Sequence, residues 1–254
     1  MFKRKRLEFK ENSFTKRLAE VLTIAMLLLL SGCSGPLSTL EPAGPHAQNV
    51  AWLWWGMFWF ASVVMVGMIW LWWRAMRRDG TATAPDKLQK KQNSWVIWGG
   101  IALPTGAITL LLAFGIPIGH KMLALDGDDV LTIEIEARQF YWRVYYPELN
   151  LTLIDEIHIP VDTPINFHIR SEDVIHSFWV PRLGGKVDAI PGRTNRLRLQ
   201  ASETGTFQGQ CAEYCGVAHA HMDFIVHAHS AEDYAQWQAQ VSSNTNNNGT
   251  EREE

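Results

Sequence analysis

Cys211-Ala-Glu-Tyr-Cys215-Gly-Val-Ala-His219-Ala-His221-Met222 places two thiols four residues apart, an imidazole four residues later and a thioether three residues further on. Thiolate, imidazole and thioether together suit a soft or borderline metal, copper above all. The competing reading is a disulfide between Cys211 and Cys215, which an oxidising compartment permits. A disulfide leaves His219 and Met222 without a reason for their spacing. Three cysteines in the whole chain are in any case too few for a disulfide framework. A further nitrogen donor lies upstream. His176 sits in Ser171-Glu-Asp-Val-Ile-His176-Ser-Phe-Trp-Val-Pro181, a short apolar run that reads as a strand end.

Both stretches resemble subunit II of the haem–copper cytochrome c oxidases, the family that carries the two-copper CuA centre. Val187-Asp-Ala-Ile-Pro-Gly-Arg193 between them is similar to that family too, and the resemblance runs from about Pro36 to Trp237. It implies that Cys211 and Cys215 bridge two copper ions and that His176 and His219 are terminal nitrogen ligands. Met222 and the backbone carbonyl of Glu213 would be weak axial ligands. The Glu213 carboxylate would also reach a magnesium ion at the boundary with subunit I, a hard cation suited to carboxylate and water oxygens. His221 lies outside the family spacing and reads as a surface residue.

The same resemblance supplies the surroundings of the centre. Glu172 and Asp173 are similar to acidic residues that dock cytochrome c, where complementary charge raises the encounter rate. Arg138-Gln-Phe-Tyr-Trp-Arg143 resembles the aromatic stretch that receives electrons. Its first ring, usually Trp, is Phe140 here, followed by Tyr141 and Trp142. The implied partners are subunit I, subunit III and cytochrome c, in a proton-translocating oxidase whose oxygen chemistry lies outside this chain. Three alternatives stand beside this reading. A quinol oxidase subunit II shares the architecture but lacks the copper ligands. A membrane-tethered copper-binding protein needs no two-thiolate bridge, and a CuA domain serving nitrous oxide reduction needs no pair of spans.

Outward from the loop, the chain reads as strands. Ile165-Asn-Phe-His-Ile169 and Arg196-Leu-Arg-Leu-Gln200 alternate cleanly. Val130-Leu-Thr-Ile-Glu-Ile-Glu136 alternates less well, with Val130, Thr132, Ile133 and Ile135 expected near one buried face. Pro147, Pro160, Pro164, Pro181 and Pro191-Gly192 punctuate the runs. Many short strands argue an all-β Greek-key sandwich, and the resemblance narrows it to a cupredoxin-like domain over 120–241. Ser230-Ala-Glu-Asp233 predicts a helix start, with the helix reaching Val241. The Asn- and Glu-rich tail 242–254 is expected to be disordered. His46, His120, His158, His168, His227 and His229 show no partner pattern and read as structural or solvent-facing.

The first half predicts a membrane hairpin. Residues 1–32 have the basic start and short apolar core of a signal peptide. Leu30-Ser-Gly-Cys33 resembles the lipoprotein cleavage box, so Cys33 is expected to carry lipid. Residues 33–49 read as an extended extracytoplasmic linker. The hairpin spans 50–119, with charge-free runs Ala51–Trp73 and 94–119 and a basic cytoplasmic loop at 74–94. Tryptophans cluster at the ends of these runs, as interfacial belts do. The predicted fold is therefore a two-helix transmembrane hairpin followed by the sandwich, in a bacterial inner membrane with the domain outside. Residues 119–254 hold ten Lys/Arg against twenty Asp/Glu. That balance points to a basic partner and away from nucleic acid.

Overall fold

In the computed structural model, residues 34–77, 85–122 and 130–250 are described, with Lys16, Arg17, Glu20, Val21, Thr23 and Ile24 before them. Cys33 and most of the expected signal segment lie outside the described residues. Ten strands form the globular part. The first five are β1 (Thr132–Arg138), β2 (Tyr141–Tyr146), β3 (Leu151–Ile154), β4 (Glu156–Pro160) and β5 (Ile165–Ser171). They are followed by β6 (His176–Trp179), β7 (Val187–Ala189), β8 (Asn195–Leu199), β9 (Gly205–Cys211) and β10 (Asp223–His229). One sheet has the order β3-β2-β1-β5-β8 and the other β4-β10-β9-β6-β7. The pairs β1/β5 and β10/β4 are parallel, and the remaining pairs are antiparallel.

Period-2 alternation sends one face of each sheet into a shared core. Ile133, Ile135 and Ala137 point inward from β1, as do Trp142, Val144 and Tyr146 from β2. Thr132 departs from the expected face. Strict parity with Ile133 turns it away from the core, and its hydroxyl donates to the Val130 carbonyl at 3.2 Å. At the centre, Phe178 and Phe224 stack at 4.6 Å, with Trp142 edge-on to both. Gly209 makes the room, since a Cβ there would lie 2.2 Å from the Phe224 ring.

Among the described residues, two helices long and apolar enough to cross a membrane precede the sandwich. α1 covers Pro45–Met76. The second is composite: α2 (Pro85–Trp95), a π-helical stretch Val96–Ala102, and α3 (Leu103–Lys121). Pro104 lacks an N–H and its ring crowds the carbonyl four residues back, and the wider π register falls on that turn. Gly115 of α3 faces Leu53 of α1, where a Cβ would come within 3.9 Å. Small residues let membrane helices approach closely in this way.

Three boundaries differ from expectation. α1 begins at Pro45, inside the expected linker, because proline is pre-organised for the first helical turn. The expected loop 74–94 is helical up to Met76 and again from Pro85. The segment before α1 is docked on the sandwich, with Ala43 buried, and Ala47 in the first turn of α1 is buried beside it. Ala43 N–H donates to Arg182 O at 2.7 Å, Ser202 N–H to Ala43 O at 2.8 Å, and Arg182 Nε to Glu41 O at 2.8 Å. After the sandwich, α4 (Ala231–Thr250) is capped by Ser230, whose hydroxyl accepts from Asp233 N–H at 3.1 Å. It runs past Val241 into the tail expected to be disordered. A helix once nucleated propagates cheaply, and Ser242 and Ser243 donate back to its own carbonyls.

Candidate metal centre

The donors meet at one end of the second sheet. β9 ends on Cys211 and β6 begins on His176, and the antiparallel register pairs Phe178 with Cys211. The loop then returns so that Cys211 N–H donates to Met222 O at 2.9 Å. Ala212 N–H anchors the loop to Ser177 O at 2.9 Å. Gly216 holds φ +140°, and a Cβ on it would press on Gln139 and on the Phe140 ring at 2.9–3.0 Å. Glycine is needed for both reasons.

Five side chains converge. Sγ of Cys211 lies 3.9 Å from Sγ of Cys215 and 3.9 Å from Nδ1 of His176. Sγ of Cys215 lies 3.6 Å from Nδ1 of His219 and 3.7 Å from Sδ of Met222. The Glu213 carbonyl is 3.2 Å from Sγ of Cys211. Both cysteines are free thiols, so the disulfide reading falls. Metal bonds of about 2.3 Å to sulfur and 2.0 Å to nitrogen put tetrahedral donors about 3.5–3.8 Å apart, close to these separations.

Electrostatics point to a cation as well. Burial opposes ionisation of Cys211, but the His176 ring and nearby backbone N–H groups outweigh it and lower its pKa. Burial and then the charge on Cys211 push the Cys215 thiol up. With Cys215 held as a thiol, the pair becomes two thiolates only with positive charge between them. His176, Met222 and both cysteines are buried, whereas His219 is half-buried at the rim of a surface cleft. The donor set and its spacing therefore fit copper.

Around this cluster the expected residues fall into different places. Glu213 is exposed and lines a cleft with Asp188. Phe140 is half-buried with its ring against Gly216 of the ligand loop. Tyr141 is half-buried too, but Trp142 is not a surface ring: it is fully buried, edge-on to His176 at 6.0 Å. Its Nε1–H donates to Met222 O at 3.4 Å, so it supports the ligands from behind. Parity places it there, since β2 alternates and Trp142 shares a face with Val144.

Neither docking acid is a free charge. Glu172 pairs with Arg170 at 3.4 Å and lies 3.8 Å from Arg138. Asp173 accepts from Gln139 N–H (2.7 Å), Val174 N–H (2.6 Å) and the His176 ring at Nε2 (2.8 Å). Burial works against its ionisation, but these donors prevail and hold its carboxyl at about 2. Asp173 thus fixes the His176 ring so that Nδ1 faces the sulfurs, the positioning role carboxylates play behind metal-ligating histidines. Gln139 completes the clamp, its side-chain amide donating to Cys215 O at 2.6 Å. An acid three residues before a ligand histidine, suited to an Asx turn, was the available signal for Asp173; Gln139 had none.

A cupredoxin-like sandwich carried on two apolar helices, with a sulfur- and imidazole-lined centre at one end, is the class this architecture defines. Residues 148–229 match the family model described as cytochrome c oxidase subunit II, periplasmic domain. The chain is 33% identical over 231 residues to cytochrome c oxidase subunit 2 of Alkalihalophilus pseudofirmus, covering 84% of this chain and 65% of that one. It is 32% identical over 238 residues to cytochrome bo(3) ubiquinol oxidase subunit 2 of Pseudomonas putida, covering 89% and 73%. The crystal structure of the periplasmic domain of subunit II of cytochrome oxidase from Bradyrhizobium japonicum is 31% identical, with a TM-score of 0.45, covering 47% of this chain and 99% of that one. The chain thus spans just under two thirds of the Alkalihalophilus protein's length. It belongs to the subunit II family of the haem–copper terminal oxidases.

Proposed function

We propose that this chain is the electron-accepting subunit of a bacterial cytochrome c oxidase, taking electrons from cytochrome c and delivering them to the haem of subunit I. The observation that supports this reading is the pair of thiols 3.9 Å apart, each with its own imidazole nitrogen within 4 Å. Cys211, Cys215, His176, His219 and Met222 would hold the copper, which when bound would supply a one-electron carrier.

The protein's own residues hold that carrier's ligands still. Asp173 orients His176, Gln139 and Gly216 seat the Cys215 turn, and Trp142 closes the site from the core. A ligand cage that does not relax suits electron transfer, because little has to reorganise when charge arrives. Phe140, beside the ligand loop, offers cytochrome c a flat apolar contact, with Tyr141 next to it. Glu213 bridges the functions, its carbonyl facing Cys211 and its carboxylate free to hold magnesium with subunit I. In this reading the complex includes subunit III, translocates protons and sits in the inner membrane with the sandwich on the periplasmic side. The signal segment is removed and Cys33 carries lipid. Similarity to a ubiquinol oxidase subunit favours a quinol-linked alternative, but a quinol-fed subunit has no use for two thiols and their imidazoles.

The full chain, loaded with copper in detergent, should turn purple and hold two coppers per chain. Its EPR signal should be that of one electron delocalised over both. A single copper with a blue spectrum overturns the assignment.

A further inference from the structure

Three of the histidines without partners in the sequence, His158, His227 and His229, gather on the outer face of the second sheet. β10 runs parallel to β4 with His227 opposite His158. Alternation buries Ile157, Ile159, Val226 and Ala228 and turns Glu156, His158, His227 and His229 outward. Oε1 of Glu156 lies 3.1 Å from Nε2 of His158 and 3.2 Å from Nε2 of His227. These three donor atoms all fall within 4.8 Å of one another.

The far side of each ring is also occupied. Nδ1 of His158 is 2.8 Å from Nε2 of His229, and Nδ1 of His227 is 3.4 Å from Oγ1 of Thr206. Each imidazole can therefore donate its Nδ1–H outward and leave an Nε2 lone pair facing Glu156. Ligating histidines are oriented in this way by partners on their second nitrogen. Trp237 of α4 lies flat on His158, ring centroids 4.4 Å apart, and fixes its plane. Solvent still reaches the cluster, for the His227 and Glu156 side chains are 32% and 48% exposed.

We propose that Glu156, His158 and His227 form a second metal site, for a divalent cation of the Zn²⁺ type, with His229 and Thr206 orienting the two imidazoles. Two imidazoles and a carboxylate are a recurrent set for such an ion. His227 is five residues along the strand from Met222, about 16 Å at the usual rise, so this cluster is separate from the copper ligands.

Calorimetric titration of the copper-loaded full chain with Zn²⁺ at neutral pH tests the assignment. Wild type should take up one Zn²⁺ per chain with the copper EPR spectrum unchanged. Glu156→Gln should weaken binding at least tenfold, His158→Gln/His227→Gln should abolish it, and His229→Gln should weaken it about tenfold. Zinc-edge absorption should report nitrogen and oxygen neighbours with imidazole scattering. Equal Zn²⁺ affinity in wild type and Glu156→Gln, a near-isosteric change on a side chain 48% exposed, overturns the proposal. Sulfur in the zinc shell overturns it equally, for it places the ion among the copper ligands.

Discussion

Replacing Asp173 by Asn asks whether the carboxylate positions His176 or merely decorates the surface. Oδ1 accepts from Val174 N–H, the His176 ring and the Ser171 hydroxyl, and Oδ2 accepts from Gln139 N–H. An amide has one acceptor oxygen. If it keeps the Oδ1 partners, its NH2 group faces Gln139 N–H, donor against donor. If it flips, His176 and Val174 lose their acceptor. At least one hydrogen bond to a charged group disappears either way, worth about 1.5–3 kcal/mol. Loss of a positioning partner behind a metal ligand costs roughly 10–100-fold in metal affinity, or about 1.4–2.7 kcal/mol. The two routes agree. Copper should therefore pass to a competing chelator 10–100-fold more readily from Asp173→Asn, and the metal-free variant should melt earlier. The pH dependence has a definite sign. The carboxyl of Asp173 is held down, at about 2, so its stabilisation is complete above the ordinary aspartate range near pH 4. It is lost as pH falls from there towards 2, and the stability gap between metal-free wild type and variant should close over that window. Unchanged copper retention with an unchanged melting temperature would refute the reasoning. A salt-dependent loss of cytochrome c oxidation alone would return Asp173 to a docking role.

Two further outcomes follow from packing around the domain. Gly44→Ala would set a Cβ 2.2 Å from Gln200 O and 3.0 Å from Leu183 O, both rigid backbone. The segment 34–44 should lift off the sandwich at a cost of about 1–3 kcal/mol, seen as faster proteolysis there. Unchanged cleavage would show that this contact does not hold the linker. Phe140→Ala should slow electron uptake from cytochrome c about tenfold, roughly 1.4 kcal/mol of barrier, while Phe140→Trp keeps the rate. Stopped-flow oxidation of reduced cytochrome c measures both, and a normal rate in the Ala variant moves the contact to Tyr141.

The two clusters differ in how far the sequence discloses them, and the difference is one of chain separation. Cys211, Cys215, His219 and Met222 sit on a single loop, so spacing alone announces their chemistry. His176 needed the family resemblance, because its approach depends on the β6/β9 register that pairs Phe178 with Cys211. Trp142 shows information present and unused: counting by twos from Val144 places it inside, however much its neighbours look like an exposed aromatic strip. Asp173 shows information present but ambiguous, since a carboxylate placed for an Asx turn before His176 also reads like one facing solvent. The docked segment before α1 was hidden too, for nothing in its small residues shows that Arg182 and Ser202 hold Ala43.

The histidine cluster is the extreme case. Parity alone puts Glu156 and His158 on one face of β4, and His227 and His229 on one face of β10. Nothing local says that these strands, about seventy residues apart, are parallel neighbours with His227 opposite His158. A register one residue away would turn His227 into the core beside Ile157 and dissolve the cluster, since side chains reverse face at every step. The core fixes that register instead, through Val226 and Ala228 packing inward. The outer-face chemistry is therefore set by apolar residues that never touch it, and this is why the individual histidines looked like unrelated surface residues in sequence.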